Sequence, residues 1–221
     1  YTKSIASAQN ELVQLYAKPT KDTLAYKRQA QKMDSLQNSY EAQSKGTIAA
    51  HFISASTPYI PTKVETANTY VSEVKAHYFE AINFQDAILQ SSNFIVDKTL
   101  EYILRMHFSG TPSFQDYKTN IDAVFKVLET TDRSFQLTTL NTLRESLITV
   151  GQDALSVYLT KTYVLPLAIQ LNDTELITSL ETVLRIVIGA KAPDFQIENP
   201  SNSSKNTLYD LEGATTYLLI F

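Results

Sequence analysis

His51, His77 and His107 are the residues of this chain best equipped for metal or proton chemistry. Imidazole is the commonest transition-metal ligand, and its ordinary pKa lies closest to neutrality of any side chain. A metal site needs ligands that converge. These three histidines fall on different predicted helices, with neither an HxxxH nor an HxxE pairing. They read as partly buried or surface histidines, and no metal ligand is assigned. Glu80 and Asp86, close to Tyr78 and Phe79, form the second candidate. Paired carboxylates in apolar surroundings can divide acid and base roles between them. In a phrase of this kind they more often cap the next helix or pair with lysine, so no catalytic residue is assigned.

The remaining chemistry is bounded by composition. There is no cysteine, which excludes a disulfide, a thiolate zinc site and a thiol nucleophile within these residues. The 13 tyrosines could mark a recognition face, but most stand at helical core spacing and read as packing. Asn202, Ser203 and Ser204 match a glycosylation acceptor and are read as loop residues. No cofactor-binding residue is assigned. A net charge of −4 without a Lys/Arg cluster gives no attraction for phosphate backbones or anionic lipid, so nucleic acid is not an expected partner. No stretch approaches the length of an apolar membrane span.

The elements that would position these side chains are almost all helical. With 221 residues, 43% of them hydrophobic, the chain can fill one domain, or one domain and part of another. From Thr2 to about Ile188 apolar residues recur at helical spacing, and strand-like alternation is absent. A first helix carries Ile5, Ala8, Leu12, Leu15 and Tyr16 and stops before Pro19. Asp22 caps a second, with Tyr26, Ala30, Met33, Leu36 and Tyr40 inward and Gly46 past its end. A short helix follows around Ile48, Ala49, Phe52 and Ile53.

Thr62 and Glu65 have capping-box spacing and predict a helix with Val64, Ala67, Val71 and Val74 inward, running toward His77. Residues 77–94 are aromatic-rich and irregular, a connection packed by its own side chains. Further helices are predicted from about Phe94 (Leu100, Ile103, Leu104, His107), across Phe114, Tyr117, Ile121, Val124, Phe125 and Leu128, and across Phe135, Leu140, Leu143 and Leu147. After Gly151 comes a helix with Leu155, Tyr158 and Leu159 that Pro166 should kink or end. Asn172 and Glu175 are read as the caps of the last, with Leu176, Leu180, Val183, Leu184 and Val187 inside and Gly189 at its end. That makes roughly nine short helices, with short loops suited to antiparallel neighbours.

Beyond Gly189 the composition changes, and a domain boundary is placed at 188/189. Phe195 and Ile197 alternate as in a strand, Leu208 and Leu211 flank a turn, and Tyr217, Leu218, Leu219, Ile220 and Phe221 read as a strand buried on both faces. The expected fold is therefore mainly α, a multi-helix domain over 1–188, followed over 189–221 by the opening β strands of a truncated α/β domain.

Gly189, Ala192, Pro193, Asp194 and Phe195, then Leu208, Leu211 and Gly213, then the run 217–221, resemble the opening of the redoxin branch of thioredoxin-fold proteins. That branch contains TlpA-like thiol-disulfide oxidoreductases and AhpC/TSA-type peroxidases. Residues 77–103, with Phe84, Asp86, Ile88 and Leu89, are similar to the helical domain preceding the redoxin domain in Bacteroidetes-type envelope proteins. The resemblance implies a cell-envelope (periplasmic or lipid-anchored) thiol-disulfide oxidoreductase, cut before its active-site cysteines. On that reading the helical portion is non-catalytic and positions the redoxin domain or mediates association. The implied partners are other envelope proteins or thiol substrates, with self-association through the strand at 217–221. A thiol peroxidase and a stand-alone helical binding module are the alternatives.

Overall fold

The computed structural model describes residues 1–17, 22–63, 66–107, 110–185, 196–198 and 205–207. It divides into two compact units, Tyr1–Asn172 and Asp173–Phe221. The expected boundary at 188/189 falls outside the described residues. Among these residues no helix is long and apolar enough to cross a membrane.

The first unit opens with a helical hairpin, α1 (Thr2–Ala17) and α2 (Thr23–Ser44). The end of α1 meets the start of α2 and its start meets the far end: the Tyr16 hydroxyl donates to Tyr26 and Ser4 meets Tyr40, with Lys32–Glu11 and Gln29 to the Ala8 carbonyl between them. The helices are thus antiparallel. The expected apolar stripe explains their packing, because Ala8, Leu12, Tyr16, Tyr26 and Met33 are buried in one cluster with Tyr70. Asp22 accepts from the Ala25 amide at 2.9 Å and caps α2, and Gly46, at φ +78°, supplies the left-handed turn beyond its end. Buried Gln37 then fixes α3 (Ile48–Ala55), donating to the Ile53 carbonyl at 3.1 Å and to Thr57 at 2.7 Å.

Helix α4 (Ala67–Ala76) begins later than Thr62 and Glu65 predict. Thr66 is its N-cap, accepting from the Thr69 amide at 3.1 Å, and Val64 and Glu65 lie outside the described residues. A threonine four positions further on satisfies the same exposed amides, and spacing alone does not choose between them. The aromatic connection after His77 is packed by its own side chains, with Ile82 and Phe84 buried, but it also holds a one-turn helix, α5 (Ala87–Gln90).

Helices α6 (Phe94–Arg105), α7 (Phe114–Leu128) and α8 (Arg133–Thr149) follow, and α8 packs against α6 and α9 (Asp153–Leu159). Ile103, Val124, Leu140, Leu143, Leu147 and Leu159 are fully buried there. Pro166 neither ends nor breaks the helix after α9. Instead the chain widens into a π turn, Thr160–Val164, and continues as α10 (Leu165–Gln170). The Leu165 amide reaches the Thr160 carbonyl, five residues back. Proline has no N–H to give, and its ring would press on the carbonyl four residues earlier. A wider turn accommodates both constraints.

The second unit contains α11 (Thr174–Arg185). Its cap is Asp173, whose carboxylate accepts from the Leu176 amide at 3.1 Å. Asn172, expected as the cap, is instead the left-handed residue of the preceding turn, at φ 56°. Leu180 is buried, whereas Val183, expected on the same inner face, is exposed.

Among the described residues the expected opening strands of a truncated α/β domain are not found. The extended segments among the described residues are β1 (Gln196–Glu198) and β2 (Lys205–Thr207), three residues each, paired antiparallel with Ile197 opposite Asn206. A ladder closed on itself is a hairpin arm, whereas a redoxin domain opens into a larger sheet with crossover helices. The fold is mainly α, and the redoxin assignment of Gly189, Ala192, Pro193, Asp194, Phe195, Leu208, Leu211 and Gly213 falls on residues outside the description. So does the run 217–221.

Candidate functional site

The three histidines lie apart, and two of them meet a carboxylate. His51, on α3, meets Asp86 through Nδ1 at 2.6 Å. Asp86 also caps α5, its other oxygen accepting from the Ile88 and Leu89 amides. Its carboxyl is held below the usual range, first by His51 and then by those amides. His77 stacks on Tyr59, with ring centroids 4.0 Å apart, and bonds Glu80. His107 lies edge-on to Tyr117. Glu80 and Asp86, considered together from sequence, therefore serve different histidines. Among the described residues no three metal-binding side chains gather.

A concavity lies in the first unit where the segment Ser56–Pro58, Tyr59, the residues after α4 and helix α6 meet. It encloses about 140 Å³ and is lined by Thr57, Tyr59, Tyr78, Lys98, Glu101 and Met106, with Ile5 and Gln9 of α1 behind. The segment keeps its shape through hydrogen bonds to neighbouring helices. The Tyr1 hydroxyl donates to the Ser56 carbonyl at 2.9 Å, and Thr57 accepts from Gln37. On the other wall the Tyr78 hydroxyl donates to Glu101 at 2.7 Å, while Lys98 reaches the same oxygen at 3.1 Å and also lies over the Tyr78 ring.

The electrostatics of this wall are definite. Burial pushes the Tyr78 hydroxyl far up, and the hydrogen bond to Glu101 pushes it further. Burial acts to raise Glu101 as well, but Tyr78, Lys98 and Arg105 together outweigh it and hold the carboxyl below its ordinary value. Both groups thus keep one protonation state around neutrality, the phenol as donor and the carboxylate as acceptor. Such a wall can orient a bound polar group and is ill matched to proton transfer, which needs a pKa near the working pH.

The spacing of Lys98 and Glu101, one turn apart on α6, was a visible signal that sequence reasoning passed over. The meeting of Tyr78 with Glu101 had none, since it depends on how the aromatic connection folds back. A second phenol–carboxylate cluster, partly buried, was equally hidden: Tyr158 and Tyr163 both donate to one oxygen of Asp122, at 2.6 and 2.7 Å. Tyr163 belongs to the π turn and stacks on Phe125 at 4.1 Å.

No protein-family profile matches the chain, and no curated protein or solved structure shows significant similarity to it. The redoxin resemblance read from the sequence accordingly finds support neither in these comparisons nor in the strands.

Proposed function

We propose that the helical unit is a non-catalytic binding module, and that the cleft between Tyr59 and Tyr78 seats one side chain of a partner protein. The observation that carries this reading is the Tyr78–Glu101–Lys98 wall, where a donor and an acceptor are fixed in place with their proton affinities driven away from neutrality. Aromatic rings beside a few oriented polar groups are what a protein-recognition pocket offers. A volume of about 140 Å³ suits a single anchoring side chain.

The test places a photoreactive phenylalanine analogue at Tyr59 in the full chain, expressed in its own host. Illumination should yield a discrete protein adduct, and Glu101→Gln together with Tyr78→Phe should weaken it several-fold. Absence of any adduct at Tyr59, with the fold intact by circular dichroism, would refute the proposal.

A further inference from the structure

The junction of α6 and α7 holds an imidazole whose two nitrogens are buried without a well-formed hydrogen bond. His107 follows the last turn of α6, and both ring nitrogens, Nδ1 and Nε2, are shut off from solvent without a hydrogen-bond partner. The Tyr117 ring covers it, with centroids 4.5 Å apart. A neutral imidazole always presents one N–H and one lone pair. Here both are stranded, and each buried polar group left so costs stability.

The same seam is held by Asn120 of α7. Its amide nitrogen donates to the carbonyls of Tyr102, Ile103 and Met106, at 3.1, 3.2 and 3.2 Å, and so closes the end of α6. Its own oxygen is a third buried atom without a partner. Three buried polar atoms without a hydrogen bond thus lie in this one seam, so a small electrostatic change there has a large effect.

The charged groups that act on His107 come from two other helices. Lys75 of α4 opposes a positive ring, while Asp116 of α7 and the carbonyls of Ile103 and Leu104 on α6 favour one. Burial is the largest influence, and it pushes the imidazole below its ordinary value. Asp116 is itself committed to the capping box of α7, accepting from the Ser113 amide and hydroxyl, both at 2.7 Å.

We propose that His107 is a proton-operated latch: as a neutral ring it keeps the end of α6 seated against α7, and on protonation it leaves the seam and frees that end. With neither ring nitrogen held by a well-formed hydrogen bond in the seam, and with burial and Lys75 of α4 both opposing the charge, a protonated ring is better hydrated by swinging outward. The released form binds one proton more than the seated form. Seating is therefore complete above the ordinary imidazole value of 6.5 and is lost as pH falls through the lower value of the seated ring.

The experiment follows amide exchange of Met106, whose N–H bonds the Tyr102 carbonyl, in the full chain between pH 8 and pH 5, beside the NMR titration of the His107 ring. Met106 protection, corrected for intrinsic exchange, should fall by up to about tenfold per pH unit at the acid end, the effect of one proton. His107→Phe, which has no proton to take, should abolish that fall, and Lys75→Met should move it to higher pH. Should the phenylalanine variant not fold, His107→Gln makes the same test with a neutral side chain. Acid loosening that persists in the folded variant, or a His107 ring that titrates with Met106 protection unchanged, would overturn the proposal.

Discussion

Replacing Asn120 tests the packing of the α6–α7 seam most directly. The side chain is fully buried, and its one NH₂ group serves the carbonyls of Tyr102, Ile103 and Met106 at the end of α6, of which Tyr102 also accepts from the Met106 amide. Removing one partner of a buried hydrogen bond costs about 1–3 kcal/mol, so Asn120→Ala should lose that much. In a chain of this size that corresponds to a fall in Tm of roughly 2–12 °C. Asn120→Asp is nearly the same shape but replaces the donors with a carboxylate facing three carbonyl oxygens. An uncompensated buried charge costs about 3–5 kcal/mol, and the variant should be the less stable of the two. Its pH dependence should also invert. The folded-state carboxyl would have a raised pKa, so its protonated form is favoured by folding and stability falls as pH rises from about 4. Urea denaturation of the three proteins between pH 4 and pH 8 measures all of this. An Asn120→Asp protein as stable as Asn120→Ala at pH 8, or with the pH dependence of the unsubstituted chain, would refute the account.

Other predictions concern single contacts. Asp132 accepts from the Ser134 and Phe135 amides as the cap of α8, and Asp132→Ala should cost about 1 kcal/mol by chemical denaturation. Leu143, fully buried on α8, should cost about 2–5 kcal/mol on truncation to alanine. Tyr78→Phe removes the strongest influence holding Glu101 down, so the Glu101 carboxyl should titrate at higher pH by carbon-detected NMR. The stability that Glu101 contributes above its unfolded pKa would then be lost earlier on acidification; an unmoved titration would count against the hydrogen bond. Asp86→Asn should leave the first turn of α5 less protected from amide exchange and allow His51 to reorient, visible in its ring-nitrogen shifts.

Helices were legible wherever an apolar row had to be buried: Leu12, Met33, Ile121, Leu140 and Leu180 were all readable from spacing. What escaped was set by competition between near-equal local choices or by tertiary contact. Thr62 and Thr66 offer the same capping hydroxyl, and Asp173 takes the capping role expected of Asn172. Phe114 and Ile48, apolar residues of two predicted helices, are 49% and 66% exposed, because each stands at the first turn of its helix, ahead of the packed part. Asn120, Thr99 and Gln136 were missed as core residues because polarity argues for the surface until a partner is known, and the partners are backbone groups. The strand reading beyond Gly189 failed for a different reason. A short apolar run is compatible with several structures, and a family likeness was allowed to choose among them.

The π turn has a consequence for how this chain can change in length. A five-residue turn in place of a four-residue one amounts to one amino acid more than a regular helix needs. Removing a single residue between Thr160 and Val164 would therefore be absorbed by reversion to ordinary helical winding once Pro166 is also replaced. The same deletion elsewhere in α7 or α8 would turn every following side chain by about 100°. Tyr163, carried outward on the extra residue, is the side chain that such a shortening would retract from Asp122 and Phe125.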